Sequence, residues 1–218
     1  MQAITDIGQA VIRFGGREIF LNPCFLAMSR IGTPEEIVKA FVVVHAGHYP
    51  EHRINDPGLL RDVLARCYAK MVVTAANIVC ASSDEDISLF TGSFTITKKG
   101  KLRYRPGKLP IAHIIELARH LIRHGVLGDQ PPENTTQDRG EYSNSFDARS
   151  FVYMAVAHLG MGESEAWNMT MTSFRAAMNA KYPQKGATSV PTEEKYDEAM
   201  DWADMIVEMD IHREQVIK

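Results

Sequence analysis

The chain of 218 residues predicts a predominantly α-helical α+β fold that opens on a β-hairpin. Three observations carry that expectation. Val11 to Phe14 and Arg17 to Leu21 are strand-like runs separated only by Gly15-Gly16, a dipeptide that takes the positive φ angles of a tight hairpin turn. Thr33-Pro34-Glu35-Glu36 is a capping box with proline in the first helical turn. From Asp56-Pro57 onward, Leu60, Leu64, Cys67, Met71 and Ile78 return to one side of a helix of roughly 24 residues.

The remaining elements follow in order. Asn22-Pro23 supplies a cap and a first-turn proline for a short helix with Phe25 and Met28 on one face, stopped by Gly32. The capping box launches a helix to about Ala46, before Gly47, and the long Asp56 helix is expected to be the central beam of the core. Thr91 to Thr97 and Lys101 to Arg105, joined through Lys98-Lys99-Gly100, read as a second hairpin whose residues 98–105 form a basic ribbon with an exposed tip. Pro110 opens a helix ended by Gly125. In it Ile111, Ile114, Ile115, Ala118, Leu121 and Ile122 make the apolar stripe, while His113, His120 and His124 cluster on an opposite, solvated face.

Residues 128–145 contain Pro131-Pro132, Gly140 and almost no apolar side chains, so they have little with which to anchor to a core. They divide the chain into an N-terminal hairpin and helical domain (1–127), a linker (128–145), a small helical unit carrying a Trp-Met-Thr motif (146–182), and a break followed by a terminal acidic helix (183–218). In that last helix Tyr196, Met200, Ala203 and Val207 gather on one side and Glu194, Asp197, Asp201 and Glu208 on the other, with Trp202, Met205 and Met209 on the flank. Its apolar face needs a partner, either this chain's own core or a client helix received on an adaptable Met-rich surface.

Composition narrows the function classes. A net charge of −3 argues against a duplex-binding protein, because neutralising phosphates takes clustered Lys and Arg. The basic ribbon interleaves Tyr104 with cations as single-strand binders do, but one aromatic is a poor stacking platform. Cys24, Cys67 and Cys80 form an odd set without metal-ligand spacing, and are expected to be buried thiols in a reducing compartment. His45, His48 and His52 are interrupted by Gly47 and Pro50, and His113 lies about 10 Å along its helix from His120, so no metal or cofactor is expected. No nucleophile elbow, phosphate loop or His-Glu-x-x-His run is present, and a binding protein rather than an enzyme is expected. No uninterrupted apolar run approaches membrane-spanning length, so a cytoplasmic protein is expected.

The segment from His158 to Phe174 is the most informative. Gly160 ends one helix, Glu163 to Asn168 make a short acidic helical turn, and Thr170 caps the next helix, in which Phe174 and Met178 are one turn apart. Trp167 falls where the helices meet, either as core or as part of a seam for a partner. The candidate partner-binding residues are therefore Trp167, Met169 and Phe174, together with Trp202, Met205 and Met209.

Leu159-Gly160, the acidic Glu163 and Glu165, Trp167-Asn168-Met169-Thr170 and Phe174 together resemble the closing motif of tail-assembly chaperones of long-tailed, siphovirus-like bacteriophages, and of a related phage family of unknown function. Ala3 to Gly8 and Arg17 to Gly32 are similar to the opening of such proteins, and Ser173 stands where their motif has an acidic residue. The resemblance implies a non-catalytic chaperone that coats the tape-measure protein, keeps its apolar helices soluble and brings in tail-tube subunits. It would act in the cytoplasm of the infected bacterial host and be absent from the mature virion, with self-association open. The alternatives are a structural or minor tail virion protein, or a nucleic-acid-associated protein using residues 98–105.

Overall fold

The computed structural model describes residues 3–47, 56–96, 102–129 and 144–183. The fold is α+β and predominantly helical, as the sequence predicts. Met1–Lys181 forms one compact unit and Tyr182–Lys218 a second. The expected terminal helix, with Trp202, Met205 and Met209, lies outside the described residues.

Strand β1 (Ala10–Phe14) pairs antiparallel with β2 (Arg17–Leu21) across Gly15 and Gly16, whose φ angles of 57° and 79° make the two-residue turn. Period-two alternation sets Ile12 opposite Ile19, both buried, and Arg13 opposite Glu18, which form a 2.8 Å ion pair outside.

Helix α1 (Phe25–Ile31) begins later than Asn22-Pro23 suggests. Cys24 is extended and forms an isolated antiparallel bridge with Thr170, and Phe25 N donates to the Met169 carbonyl at 2.9 Å. Pairing with a distant segment thus holds residues 22–24 out of the helix. Helix α2 (Pro34–Ala46) has both arms of the capping box: Glu36 N donates to Thr33 Oγ1 at 3.4 Å, and Thr33 N donates to Glu36 Oε2 at 2.8 Å.

Helix α3 (Pro57–Ala81) is capped by Asp56 Oδ1, which accepts from Gly58 N at 2.7 Å and Leu59 N at 3.1 Å. Its buried residues, Val72, Ala75, Ala76, Ile78, Val79 and Ala81, all lie in the second half. The expected central beam is therefore a beam over only half its length. At 25 residues α3 is about 37 Å long. Helices α2, with 13 residues, and α5 (Ile111–Ile122), with 12, are each about half that, so α3 outruns both.

A short helix α4 (Ser88–Thr91) leads into β3 (Ser93–Ile96), which pairs antiparallel with β4 (Leu102–Arg105). Tyr104 OH donates to the Thr91 carbonyl at 2.7 Å and ties this hairpin to the core. The basic tip, with Lys98, Lys99 and Lys101, lies outside the described residues.

Helix α5 does not stop at Gly125: it continues as a π-helical turn, Arg123–Leu127. Gly125 is instead a close-packing point, since a Cβ there would lie 2.6 Å from Met28 Sδ. Helix α6 (Ala148–Met154), capped by Asp147, also ends in a π turn, Ala155–Leu159, before Gly160. Then come α7 (Glu163–Trp167) and α8 (Met171–Lys181), the latter capped by Thr170 Oγ1, which accepts from Ser173 N at 3.2 Å.

One core joins these elements. Leu21, Phe25, Met28, Ile37 and Ile78 share it with Ile114 and Leu121, and from beyond residue 145 with Phe146, Val152, Met171 and Phe174. Phe146 N donates to the Pro34 carbonyl at 3.0 Å. Residues 146–181 thus pack within the same compact unit as the N-terminal elements instead of forming a core of their own. Between Gly128 and Ser145 the sequence offers Tyr142 alone as a large apolar side chain, so limited proteolysis is expected to cut there first. The two fragments should separate on a denaturing gel yet co-elute on size exclusion; separate elution would refute the shared core.

Candidate functional site

The Trp-Met-Thr motif folds into a clip. Asn168 O accepts from Asn22 Nδ2 at 3.3 Å, Met169 O accepts from Phe25 N at 2.9 Å, and Thr170 bridges Cys24. Asn22 N in turn donates to Ser82 O at 2.8 Å, so three distant segments meet at one residue. Trp167 is half-buried, with Nε1 directed at Glu163 Oε1 one turn back at 3.4 Å, and Met169 is half-buried beside it.

Phe174 is a core residue and not an exposed contact. It is 6% exposed, with its ring 5.9 Å from Phe25 and 5.6 Å from Phe151 in edge contacts, while Phe151 stacks on Phe25 and Phe146. Of the described candidate partner residues, then, only Trp167 and Met169 present surface, and each also packs on the core. Trp202, Met205 and Met209 lie outside the described residues.

The histidine face also needs correction. His113 is exposed and His120 half-buried, but His124 is 7% exposed, its Nδ1 2.8 Å from Thr172 Oγ1 of α8. Helix α8 packs on the turn Arg123–Leu127, and His124 meets Thr172 instead of solvent. Burial, with His120 beside it, holds the His124 imidazole below its usual pKa. His45, stacked on Phe41 with centroids 4.2 Å apart, is lowered too, chiefly by burial. His48 and His52 lie outside the described residues, among which no group of three or more His, Cys, Asp or Glu is placed to hold a metal. Of the three cysteines only Cys24 is buried, which pushes its thiol pKa up; Cys67 is half-buried and Cys80 exposed.

The lowered histidines set a pH dependence. A group whose folded pKa lies below its unfolded value is more protonated when unfolded, so its contribution is complete above about pH 6.5 and is lost as pH falls toward the folded value. Thermal stability should fall between about pH 7 and pH 5, and His124→Gln should reduce that slope. An unchanged slope in the variant would show that His124 does not carry the effect.

Surface that the core leaves unused is concentrated on α3. None of residues 57–71 is buried, and Leu59, Leu60, Leu64 and Tyr68 are 56%, 36%, 40% and 51% exposed. By length and composition α3 is apolar enough to cross a membrane, but its second half is core and its first half carries Arg61, Asp62, Arg66 and Lys70. Beside it, a cleft of about 570 Å³ between α2 and α3 is lined by Lys39, Lys70, Glu36 and Asn77 above Ile31 and Val43. On the second hairpin Arg103 and Arg105 are exposed, whereas Tyr104 is packed on the core and hydrogen-bonded, which removes it as a stacking platform. The α3 surface escaped the sequence reading, although one signal was present: the helix is twice as long as its neighbours.

These features define a class: a small, predominantly helical α+β protein whose first and last core elements are clipped together and whose longest helix, among the described residues, leaves Leu59, Leu60, Leu64 and Tyr68 exposed. The chain belongs to a family of unknown function, DUF6246, which matches residues 21–198 and therefore spans the clip and the helices α1 to α8 of the described residues. No curated protein and no solved structure matches the chain.

Proposed function

We propose that the protein is a non-catalytic chaperone of phage tail assembly, which holds the tape-measure protein and helps to bring in tail-tube subunits. The observation that carries this is the first half of α3, where four large apolar side chains stand exposed on a helix whose buried residues all lie in the other half. A protein that keeps another's apolar helices in solution needs apolar surface that its own fold does not consume. The Leu159 to Phe174 motif and its resemblance to such chaperones support the same assignment. The protein would act in the cytoplasm of the infected cell and be absent from the finished particle.

Co-expression of the full chain with the tape-measure protein tests this. The tape-measure protein is expected to become soluble and to co-purify with the chain. A tape-measure protein that is equally insoluble with and without the chain would overturn the assignment, and stoichiometric recovery of the chain in purified virions would favour a structural tail component.

A further inference from the structure

We propose that the exposed half of α3 is a docking seam for a single amphipathic helix whose apolar stripe is bordered by acidic residues. Leu60 and Leu64, both exposed, and Cys67 and Met71, both half-buried, follow one another at spacings of four, three and four; Met71 already packs against the core, and Ile78 lies on the same bearing within it. At about 100° per residue the four side chains lie within about 60° of one another, the narrow stripe of a coiled-coil seam. This is the stripe that a partner helix covers in a pair. A seam of this width selects a helix over an extended strand, because alternate positions of four and three receive knobs from one facing helix.

Charge selects the kind of helix. The positions that flank the seam about 90° to either side carry Arg61 and Tyr68 on one edge and Val63 and Lys70 on the other. The only charged residues there are cations, while Asp62 points to the far side of the helix. Neither Arg61 nor Lys70 is ion-paired among the described residues, whose ion pairs are Arg13–Glu18, Arg30–Asp84, Arg119–Glu116 and Arg149–Asp147. Flanking charges set the choice of partner in coiled coils, so this seam favours acidic borders and disfavours basic ones. A second copy of α3 would bring its own cationic borders to the contact and is the poorer fit.

The chaperone assignment enters only in naming the tape-measure protein as the bearer of that helix; the seam itself stands on the geometry. The test uses the full chain and two synthetic helices of about three heptads with the same Leu seam, one with Glu and one with Lys at the flanking positions. The Glu peptide should bind about tenfold or more tightly than the Lys peptide at low salt, and the gap should shrink as salt rises. The Arg61→Glu, Lys70→Glu double variant should reverse the preference. Leu64→Asp should weaken both peptides with an unchanged melting curve, since Leu64 is exposed.

Equal affinity for the two peptides would overturn the proposal. So would a dimer in sedimentation that Leu64→Asp dissolves, which would make a second copy the occupant, or binding to anionic vesicles that Leu64→Asp abolishes, which would make it a membrane. Tape-measure capture that survives Leu64→Asp, with neither peptide bound, would remove the seam and leave the chaperone assignment standing. Peptide binding without tape-measure capture would do the reverse.

Discussion

Phe25→Ala is expected to remove about 3–5 kcal/mol of stability, the usual cost of truncating a fully buried phenylalanine and leaving a cavity. Phe25 is completely buried, and its ring lies 5.8 Å from Phe151 and 5.9 Å from Phe174, so one truncation disturbs an aromatic cluster assembled from α1, α6 and α8. Set against a total of about 5–15 kcal/mol for a typical domain, the melting temperature should drop by roughly 6–20 °C. Urea unfolding followed by circular dichroism gives the difference directly. A loss below about 1 kcal/mol would mean that the cluster is not central, whereas Tyr153→Ala, at an exposed neighbouring position of α6, should be nearly neutral.

Gly92→Ala should cost roughly 2–4 kcal/mol by a different route. Gly92 has φ of +87°, unfavourable for any residue with a Cβ, and an added Cβ would fall 2.3 Å from the Arg105 carbonyl oxygen and 2.9 Å from Gly107 N. Backbone cannot yield as a flexible side chain would, so β4 must move away from the end of α4. Hydrogen exchange should then accelerate in β3 and β4 well before it does in α5. Protection equal to wild type across the hairpin would show that the close approach is relaxed at no cost.

What could be read from the sequence was local. Thr33 to Glu36, Asp56-Pro57 and Gly15-Gly16 encode their own caps and turn within a few residues, and each element formed where those residues placed it. What could not be read was set by partners distant in the chain. Asn22-Pro23 has the composition of a helix start, yet the helix begins only at Phe25, after Cys24, which is extended and bridges to Thr170. His124 lies off the apolar stripe of α5, yet helix α8, through Thr172, covers it. Periodicity likewise assigned Leu60 and Leu64 to the face of α3 that the core uses further along, because it reports direction around a helix and not whether anything lies there. For the candidate site the motif around Trp167 was correctly located as a junction, but Phe174 proved to be core.

The clip between residues 22–25 and 168–170 also bears on how the chain is made. Asn22 and Asn168 are separated by 146 positions, which a ribosome working at about 5–20 residues per second crosses in roughly 7–30 s. For that interval Leu21, Phe25 and Met28 have emerged without the residues that enclose them in the native state, and the loop that must close is among the longest the chain allows. The first hairpin and the capping-box helix can form early, but the first helix cannot be sealed until Met169 and Phe174 leave the exit tunnel. A ribosome stalled before residue 168 should therefore hold a nascent chain whose Phe25 is unprotected and sticky, and release past residue 181 should switch it within one cooperative step to the closed state.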